Sequence, residues 1–395
     1  MNKKNKLLPE LRFPEFKDSG NWSEKTLDQI LQIGNGRDYK HLDEGDVPVY
    51  GSGGYMLSVN SYLHDGESVC IGRKGTIDKP IFLSGKFWTV DTLFYTHSFK
   101  DCIPKFIYYV FHNIDWLQHN EAGGIPSLSK SNISKIKITI PNIDEQNKIA
   151  CCLSSLDELL SSYKKKIEFL KSHKRGLVQN LFVADGQSTP NYRFPEFKNK
   201  TKWRKKLIGN LTSVTSGGTP ESGTIKYWNG NIPWMSSGEL NNKRIYKVSN
   251  SITEEGLKNS STKMIPKECI LIGLAGQGKT RGTAAINYLE LCTNQSIAAI
   301  HPNPKSFNSE FLYQLIESMY KKLRSLSTGD GGRGGLNLTI IKSIEIYLPD
   351  LDEQLKIANC LETLDLLALS HEQKIKQIEL HRKALIQRLF PKMNN

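Results

Sequence analysis

Apolar residues recur alternately four and three positions apart along two stretches of the chain, from Ile140 to Phe182 and from Leu348 to Phe390. This spacing is typical of a coiled coil, in which one narrow seam of each helix faces a partner. A helix buried in a globular core would need a broader apolar face. We therefore predict two paired helices, each of about 39 residues and about 58 Å long. The seam positions are Ile149, Leu153, Leu156, Leu160, Ile167 and Leu170 in the first helix, and Ile357, Leu361, Leu364, Ile375, Ile378 and Leu385 in the second.

A capping signature marks the start of each predicted helix. Asn142 with Glu145, and Asp350 with Glu353, have the spacing of an N-cap residue and a third residue whose carboxylate reaches back to the cap. Both helices are therefore expected to begin at equivalent positions.

The two helices belong to an internal duplication of the chain. About 20 of about 43 positions are identical between them. Lys174, which breaks the first seam, is matched by another basic residue, Arg382, in the second. A shorter segment, RFPEFKDSGNW at Arg12–Trp22, recurs as RFPEFKNKTKW at Arg193–Trp203. The chain thus divides into a first domain (1–139), a central helix (140–183), a linker with a second domain (184–347) and a C-terminal helix (348–395).

The segments enclosed by the repeats are dissimilar in sequence but similar in character. Both are rich in Gly, Tyr, Trp, Ser and Thr, with short apolar runs such as SVCIG and ECILIG that turn residues interrupt. Such runs predict short strands, and each segment also contains one helical patch late in its length. We predict an α+β fold with two mixed α/β domains and pseudo-twofold internal symmetry.

Composition narrows the class of protein further. Among 395 residues, hydrophobic side chains make up 38% and charged ones 24%, which excludes wholesale disorder. Lys and Arg outnumber Asp and Glu by 53 to 40, and this surplus favours a polyanionic partner, above all nucleic acid. The start of the sequence lacks an apolar signal and no stretch is long enough to span a membrane, so we expect a cytoplasmic protein without a membrane partner. Seven cysteines without a Cys-x-x-Cys pair indicate neither a disulfide framework nor a metal site.

Three repeated features carry a resemblance to a known family. They are the FPEF…W leader, the LPxLDEQ-type helix that ends in Leu-x-x-x-Leu-Phe, and the glycine-rich segments AGGIPSL and GGRGGLNL that precede the helices. On these motifs the chain resembles the specificity subunit of a type I restriction-modification system along its whole length. The resemblance implies that each domain is a target recognition domain, which reads one half of an asymmetric bipartite site in double-stranded DNA.

The resemblance also implies a set of partners. The repeated helices would form an antiparallel coiled coil that spaces the two domains and docks two modification (methyltransferase) subunits, and restriction subunits with an ATP-driven motor would join the larger complex. S-adenosylmethionine, ATP and Mg²⁺ are accordingly expected on the partner subunits, with no cofactor in this chain. The sequence agrees, because it contains no Pro-Pro dipeptide and hence no N/D-P-P-Y/F motif of an amino-methyltransferase. We therefore predict no catalytic residue.

Glycine-rich loops supply the candidate DNA contacts of the first domain. Glycines allow close backbone approach, and the neighbouring donors suit phosphate or guanine. The candidates are Arg37, Tyr39 and Lys40 in IGNGRDYKH, Tyr50, Ser52 and Tyr55 in VYGSGGY, and Arg73, Lys74 and Thr76 in IGRKGT. Ordinary solvated turns are the alternative interpretation for any one of them.

The second domain offers a parallel set of loops. Its candidates are Ser216 and Thr219 in VTSGGTP, Trp234, Ser236 and Ser237 in NIPWMSSGEL, Gln277, Lys279, Thr280 and Arg281 in LIGLAGQGKTRGT, and Arg333 in GDGGRGGLN. Trp234 fits a core position as well as a contact. Asn294 and Gln295, which precede SIAAI, match Asp91 and Thr92, which precede LFYT in the first domain.

Two other functions fit parts of the sequence. Gly273–Thr280 matches the P-loop pattern G-x-x-x-x-G-K-T, which would indicate an ATP- or GTP-binding enzyme. A P-loop must lead into a helix that holds phosphate at its N-terminus, whereas here RGTAAI follows, and the counterpart IGRKGTI is no P-loop. We therefore expect a structural hairpin in both domains. The other alternative is a coiled-coil scaffold without base readout.

Overall fold

Two compact units make up the chain. The computed structural model describes residues 8–184, 186–276, 278–326 and 335–391. Unit 1 consists of 1–165 together with 372–395, and unit 2 consists of 166–371. Each unit therefore joins one of the two inserted domains to one part of each long helix.

Unit 1 contains two small four-stranded sheets and a two-stranded ribbon. The sheets have the strand orders β2-β9-β6-β7 and β4-β3-β8-β5, and β3 and β8 form their only parallel pair; the ribbon pairs β1 with β10. The elements are β1 Ser23–Thr26, α1 Leu27–Ile30, β2 Gln32–Asn35, β3 Glu44–Gly51, β4 Gly54–Val59, β5 His64–Asp65, β6 Ser68–Gly72, β7 Ile81–Leu83, β8 Lys86–Thr89, β9 Leu93–His97, α2 Pro104–Asn113, α3 Lys130–Ser134, β10 Lys137–Ile140 and the start of α4 Ile143–Leu181.

Unit 2 repeats this plan with one additional strand. Its sheets have the orders β12-β20-β17-β18-β14 and β15-β13-β19-β16, and its ribbon pairs β11 with β21. The elements are β11 Arg204–Leu207, α5 Ile208–Leu211, β12 Val214–Ser216, β13 Trp228–Met235, β14 Arg244–Ile245, β15 Asn250–Ile252, α6 Glu254–Lys258, β16 Met264–Ile265, β17 Ile270–Gly273, β18 Ala284–Asn287, β19 Leu291–Thr293, β20 Ile297–Ile300, α7 Ser309–Ser318, α8 Tyr320–Ser325, α9 Leu338–Lys342, β21 Glu345–Leu348 and α10 Leu351–Leu389.

The long helices α4 and α10 each contain 39 residues, which confirms the predicted length and the common starting point. Within unit 1 they run antiparallel, because Asp157 pairs with Arg382 (2.5 Å) and Lys164 pairs with Glu379 (3.8 Å). All twelve predicted seam residues are buried or half-buried. No helix among the described residues is long and apolar enough to cross a membrane.

The ends of the long helices pack into the domain cores. In unit 1, Ile149 and Leu153 of α4 belong to the same buried cluster as Phe390, which directly follows α10, and as Trp22 and Phe106. In unit 2, the corresponding cluster combines residues 181–182 of the first helix and its end with Ile357 and Leu361 of α10 and the domain residues Trp203 and Phe311. The apolar face is therefore broader at the helix ends than in the seam, and it anchors each domain.

The repeated leader is held by the glutamate of the DEQ motif. As predicted, the Glu145 backbone N–H donates to the Asn142 side chain (2.9 Å). The Glu145 carboxylate, however, does not reach back to the cap. It accepts two hydrogen bonds from Arg12 (2.8 and 2.7 Å) and one from the Trp22 indole (3.3 Å). The predicted reciprocal cap was therefore wrong, because the leader guanidinium occupies that carboxylate.

Unit 2 repeats this leader contact with small differences. Arg193 donates two hydrogen bonds to Glu353 (2.9 and 2.6 Å), and these bonds raise the pKa of the arginine. The Glu353 N–H donates to the backbone carbonyl of Asp350 (3.1 Å), while the Asp350 carboxylate accepts from Thr201 (3.3 Å). The predicted side-chain cap at Asp350 was therefore also wrong.

In each unit, the glutamine of the DEQ motif bonds to the start of the late helix of the domain, which is α2 in unit 1 and α7 in unit 2. Gln146 accepts the Ile103 N–H (3.1 Å) at the start of α2 and donates to the Pro141 carbonyl (2.9 Å). In unit 2, Gln354 accepts the Asn308 N–H (2.9 Å) at the start of α7 and donates to its own preceding proline in the same way. The motif is thus a structural joint between helix and domain.

The leader also forms a backbone hydrogen bond with the last turns of a long helix. In unit 1 the Leu11 N–H donates to the Arg388 carbonyl (2.8 Å), and in unit 2 the Tyr192 N–H donates to the Asn180 carbonyl (2.9 Å). These residues are equivalent in the two copies of the repeat.

Candidate nucleic-acid interface

A tight turn at residues 90–93 lies where the candidate loops of unit 1 meet. The Val90 N–H donates to the Tyr50 carbonyl (2.9 Å) near the end of β3. The Arg37 N–H donates to the Thr89 carbonyl (2.8 Å), which brings the loop after β2 against the same turn. The structure therefore places the first two candidate loops side by side.

The hairpin turn between β6 and β7 joins this group. The backbone N–H groups of Arg73 and Lys74 both point to the Thr92 carbonyl (2.8 and 3.4 Å). A Cβ atom built on Gly75 would lie 3.4 Å from the Ser52 hydroxyl, so this turn also adjoins the turn between β3 and β4. All three predicted DNA-contact loops of the first domain are thus brought together around residues 90–93.

A cleft of about 690 Å³ opens within this group of loops. Tyr55 is 62% exposed there, and its ring lies 6.1 Å from that of the half-buried Tyr50. The side chains of Arg37, Arg73 and Lys74 are exposed, and Thr76 is half-buried. The cleft is lined by Asp38, Tyr39, Lys40, Gly51, Ser52, Gly53, Gly54, Tyr55, Met56, Val90, Asp91 and Thr92. We call these residues, with Arg37 and the turn 73–76, loop cluster 1.

Unit 2 contains the same crossing of backbone segments. The Asn294 N–H donates to the Met235 carbonyl (3.0 Å), and the Gly218 N–H donates to the Thr293 carbonyl (2.8 Å). The Leu274 N–H donates to the Ser296 carbonyl (2.8 Å), and this bond is equivalent to the one from the Arg73 N–H to the Thr92 carbonyl in unit 1. We call residues 216–219, 235–237, 273–276, 278–281 and 293–296 loop cluster 2.

These hydrogen bonds correct one correspondence between the domains. Because Asn294 bonds as Val90 does, the residue that follows it, Gln295, is equivalent to Asp91. The sequence comparison had matched Asn294 with Asp91 and was therefore shifted by one residue. The two domains are so dissimilar in sequence that only their backbone hydrogen bonds define which residues are equivalent.

The candidate residues of loop cluster 2 differ in exposure. Ser216 is half-buried at the end of β12, and the Thr219 hydroxyl donates to the Gln295 side chain (2.6 Å). Trp234 is only 6% exposed and donates its indole N–H to the Gly218 carbonyl (3.0 Å), so it packs inside the domain rather than presenting a contact surface. Ser236 and the adjacent residue 237 are half-buried at the start of a 3-10 turn.

The segment that matched a P-loop is a hairpin. Strands β17 and β18 pair antiparallel on either side of it, and the next element after the segment is β18 rather than a helix. The Gly278 carbonyl accepts from Arg324 (2.5 Å) and the Lys279 carbonyl from Tyr320 (3.2 Å), so helix α8 holds the loop from outside. The nucleotide-binding interpretation was therefore wrong, and the expected hairpin is confirmed. Lys279 is exposed, Thr280 and Arg281 are half-buried, and the candidates Gln277 and Arg333 lie outside the described residues.

The family model for the type I restriction modification DNA specificity domain matches residues 19–172 and 200–380, one match for each copy of the duplicated frame. The chain belongs to this family. The EcoR124I/EcoR124II specificity subunit of Escherichia coli is 26% identical over 264 residues, which is 64% of this chain and 62% of that protein. The MjaIX specificity subunit of Methanocaldococcus jannaschii is 33% identical over 190 residues, 47% of this chain and 42% of that protein. The chain thus spans less than two thirds of the length of these curated relatives.

A solved structure shares the fold of this specificity-domain chain. The S subunit of a type I restriction-modification system from M. genitalium aligns with a TM-score of 0.71 at 17% identity, over 98% of this chain and 100% of that one. At this level of identity the likeness concerns the fold alone.

Sequence reasoning missed Trp88, which holds a loop of loop cluster 1 in the first specificity domain. The indole of Trp88 donates to the Arg37 carbonyl (2.9 Å), just as that of Trp234 donates to its equivalent, Gly218. The two tryptophans lie on different strands of the parallel pair, so no sequence alignment relates them. The available signal in the sequence was a glycine directly before each residue whose carbonyl accepts the indole: Gly36 precedes Arg37, and Gly217 precedes Gly218.

Three buried thiols of the specificity domains are unsuited to nucleophilic chemistry. Burial raises the pKa of Cys70, Cys102 and Cys269 to about 12 in each case. These three thiols stay protonated at neutral pH, and the thiolate is the reactive form.

Gly36→Ala is expected to destabilise unit 1 by about 1–3 kcal/mol or more, because a Cβ atom would lie 1.9 Å from the Val90 carbonyl oxygen. Gly217→Ala should do the same in unit 2, where the Thr293 carbonyl oxygen would lie 1.8 Å away. Denaturant unfolding of each variant measures the loss. Gly53→Ala is the control, since its Cβ would meet nothing within 4 Å; an equal loss there would contradict the packing argument.

Proposed function

We propose that this chain is the DNA sequence-specificity subunit of a type I restriction-modification complex and that it has no catalytic role of its own. Loop cluster 1 and loop cluster 2 would each contact one half of a bipartite target in double-stranded DNA. The observation that carries the proposal is that each unit contains the same crossing of backbone segments, while the side chains at this crossing differ between the units.

The differing side chains indicate an asymmetric target. Loop cluster 1 presents two tyrosines and several cations, among them Tyr55, Arg73 and Lys74. Loop cluster 2 also contains cations at 279 and 281, but it adds hydroxyl and amide groups such as those of Thr219 and Gln295. Arginine suits guanine and glutamine suits adenine in the major groove, while cations also bind phosphate without reading sequence. The net charge of +13 supports a nucleic-acid partner.

We assign the chemistry to partner subunits. Two modification subunits would bind along α4 and α10 and hold S-adenosylmethionine, and restriction subunits would hold ATP and Mg²⁺. Family membership supports this assignment, as does the lack of a methyltransferase tetrapeptide in the sequence. Among the described residues, moreover, no group of three or more His, Cys, Asp or Glu side chains is arranged to hold a metal ion.

The test is to express the chain with its cognate modification subunit in a host that lacks adenine methylation and to map methylated adenine across the genome. We expect a split motif, with two short specific blocks around a fixed nonspecific gap. The modification subunit alone is the control and should give no such motif. Dispersed methylation would leave a scaffold without base readout, and a purified complex that methylates nothing would overturn the proposal.

A further inference from the structure

One carboxylate occupies the centre of loop cluster 1. Asp91 lies in the turn 90–93, between the Val90 N–H that bonds to β3 and the Thr92 carbonyl that receives the N–H groups of Arg73 and Lys74. Its side chain is exposed and lines the cleft. Within the part of the chain that the structure describes, this carboxylate makes no hydrogen bond and no ion pair. The other carboxylate of the cleft, that of Asp38, accepts the Lys40 N–H (3.4 Å).

An unpartnered carboxylate is unfavourable beside DNA, because phosphates repel it and the desolvated oxygens need donors. An ionised carboxylate can only accept hydrogen bonds. In the major groove the base edges offer two kinds of donor, the N4 amino group of cytosine and the N6 amino group of adenine. The major groove is also the one wide enough to admit a pair of strands. The chemistry of Asp91 therefore selects for an amino group on a base.

Gln295 holds the equivalent position in loop cluster 2 but offers different chemistry. Its carboxamide both donates and accepts, and the Thr219 hydroxyl fixes its orientation by a bond of 2.6 Å to the amide oxygen. That oxygen retains a second lone pair. A glutamine so presented can pair with both N6 and N7 of adenine.

We propose that Asp91 and Gln295 are specificity-determining residues of the two halves of the target. Asp91 accepts a hydrogen bond from the amino group of a cytosine or adenine in the first half, and Gln295 reads an adenine in the second half. This inference rests on the proposed function. It goes beyond it by naming one base position in each half and the hydrogen bond that reads it.

The test compares methylation motifs of complexes that carry Asp91→Asn, Asp91→Ala or Gln295→Ala with that of the wild-type complex. Asp91→Asn keeps the shape of the side chain but adds a donor. We expect both Asp91 variants to relax or change one position in one half of the motif, with discrimination there reduced roughly 5- to 150-fold, and the other half intact. Gln295→Ala should relax one adenine position in the opposite half only.

Asp46→Asn is the matched control, because Asp46 is an exposed residue of β3 that does not line the cleft, and the charge change is the same. Its motif should equal that of the wild type. An unchanged motif in both Asp91 variants, or a uniform decline at every site without any change of motif, would overturn the role of Asp91. A wild-type complex without a split motif would instead overturn the proposed function, so the two failures are distinguishable.

Discussion

Glu145→Gln is expected to destabilise unit 1 by about 3–5 kcal/mol, because it leaves the Arg12 guanidinium buried without its counter-charge. The Glu145 carboxylate is 1% exposed and the Arg12 side chain 9% exposed, so water cannot replace the lost partner. The variant also weakens the acceptor of the Trp22 indole. Denaturant unfolding of the chain, followed by the fluorescence of its tryptophans, measures the effect.

Two matched variants define what the result means. Glu353→Gln breaks the equivalent pair in unit 2, where the Trp203 indole has no hydrogen-bond partner among the described residues, so its loss should be somewhat smaller. Glu15→Gln breaks a pair with Lys148 in which both side chains are about half exposed (45% and 51%), and it should change stability little. A similar effect of Glu15→Gln and Glu145→Gln would show that burial does not determine the strength of the leader contact.

Arg244→Met is expected to destabilise unit 2 by about 3–5 kcal/mol at neutral pH, because it leaves the Glu310 carboxylate, whose side chain is only 11% exposed, without its cation. Arg244 is 6% exposed; its guanidinium lies 2.5 Å from Glu310, 3.4 Å from Glu362 and 3.3 Å from Asp365. Burial acts to lower the pKa of Arg244, but the hydrogen bonds and charge of Glu310 outweigh it and raise that pKa. Burial and Glu310 together raise the pKa of Glu362.

The loss in Arg244→Met should diminish as the pH falls. Arg244 opposes the rise in the pKa of Glu362, so without the cation this pKa rises further above its unfolded value, and protonation then stabilises the folded state and relieves the repulsion. Unfolding measured at neutral and at mildly acidic pH tests this sign. Arg244→Met combined with Glu310→Met should recover part of the stability, since a buried charge is removed with its partner. An equal loss at both pH values would attribute the effect to packing.

The basic residue that interrupts each helix seam is linked through an aspartate to a side chain of the adjacent domain. In unit 2, Lys174 bonds to Asp365 (2.7 Å), which also accepts from Gln314 of α7 (2.8 Å). In unit 1, Arg382 pairs with Asp157, which accepts from Tyr109 of α2 (2.7 Å). A single polar position in an apolar seam fixes the register of a helix pair. Here it also fixes the contact between the helix pair and the late helix of the domain.

Features that depend on local periodicity could be predicted from the sequence. The bounds of α4 and α10 follow from the heptad spacing and from the repeated Asn/Asp-x-x-Glu spacing at their starts, and the hairpin after β17 follows from its likeness to the turn after β6. The break at Lys174 was visible as well. Its partners were not, because Glu317 lies 143 residues away and Asp365 lies 191 residues away.

The loop clusters show where sequence reasoning ends. Tyr39, Lys40 and Ser52 were recognised as candidates because glycines flank them, and the structure brings them into one cleft. Asp91 was noticed only as a match for a residue in the second domain. Its central place arises from backbone hydrogen bonds to β3 and to the turn after β6, which no pattern in a non-repeating insert encodes.

The backbone contact of each leader bears on the order of the two halves along the chain. In unit 2, Asn180 and Tyr192 belong to one continuous stretch, whereas in unit 1 the equivalent Arg388 and Leu11 come from opposite ends of the sequence. The same backbone contact thus forms between residues close together in the sequence in unit 2 and between residues far apart in the sequence in unit 1. The fold therefore has no intrinsic first half. A circularly permuted gene, closed from the end of α10 to the first leader and opened ahead of the second, would encode the same set of contacts.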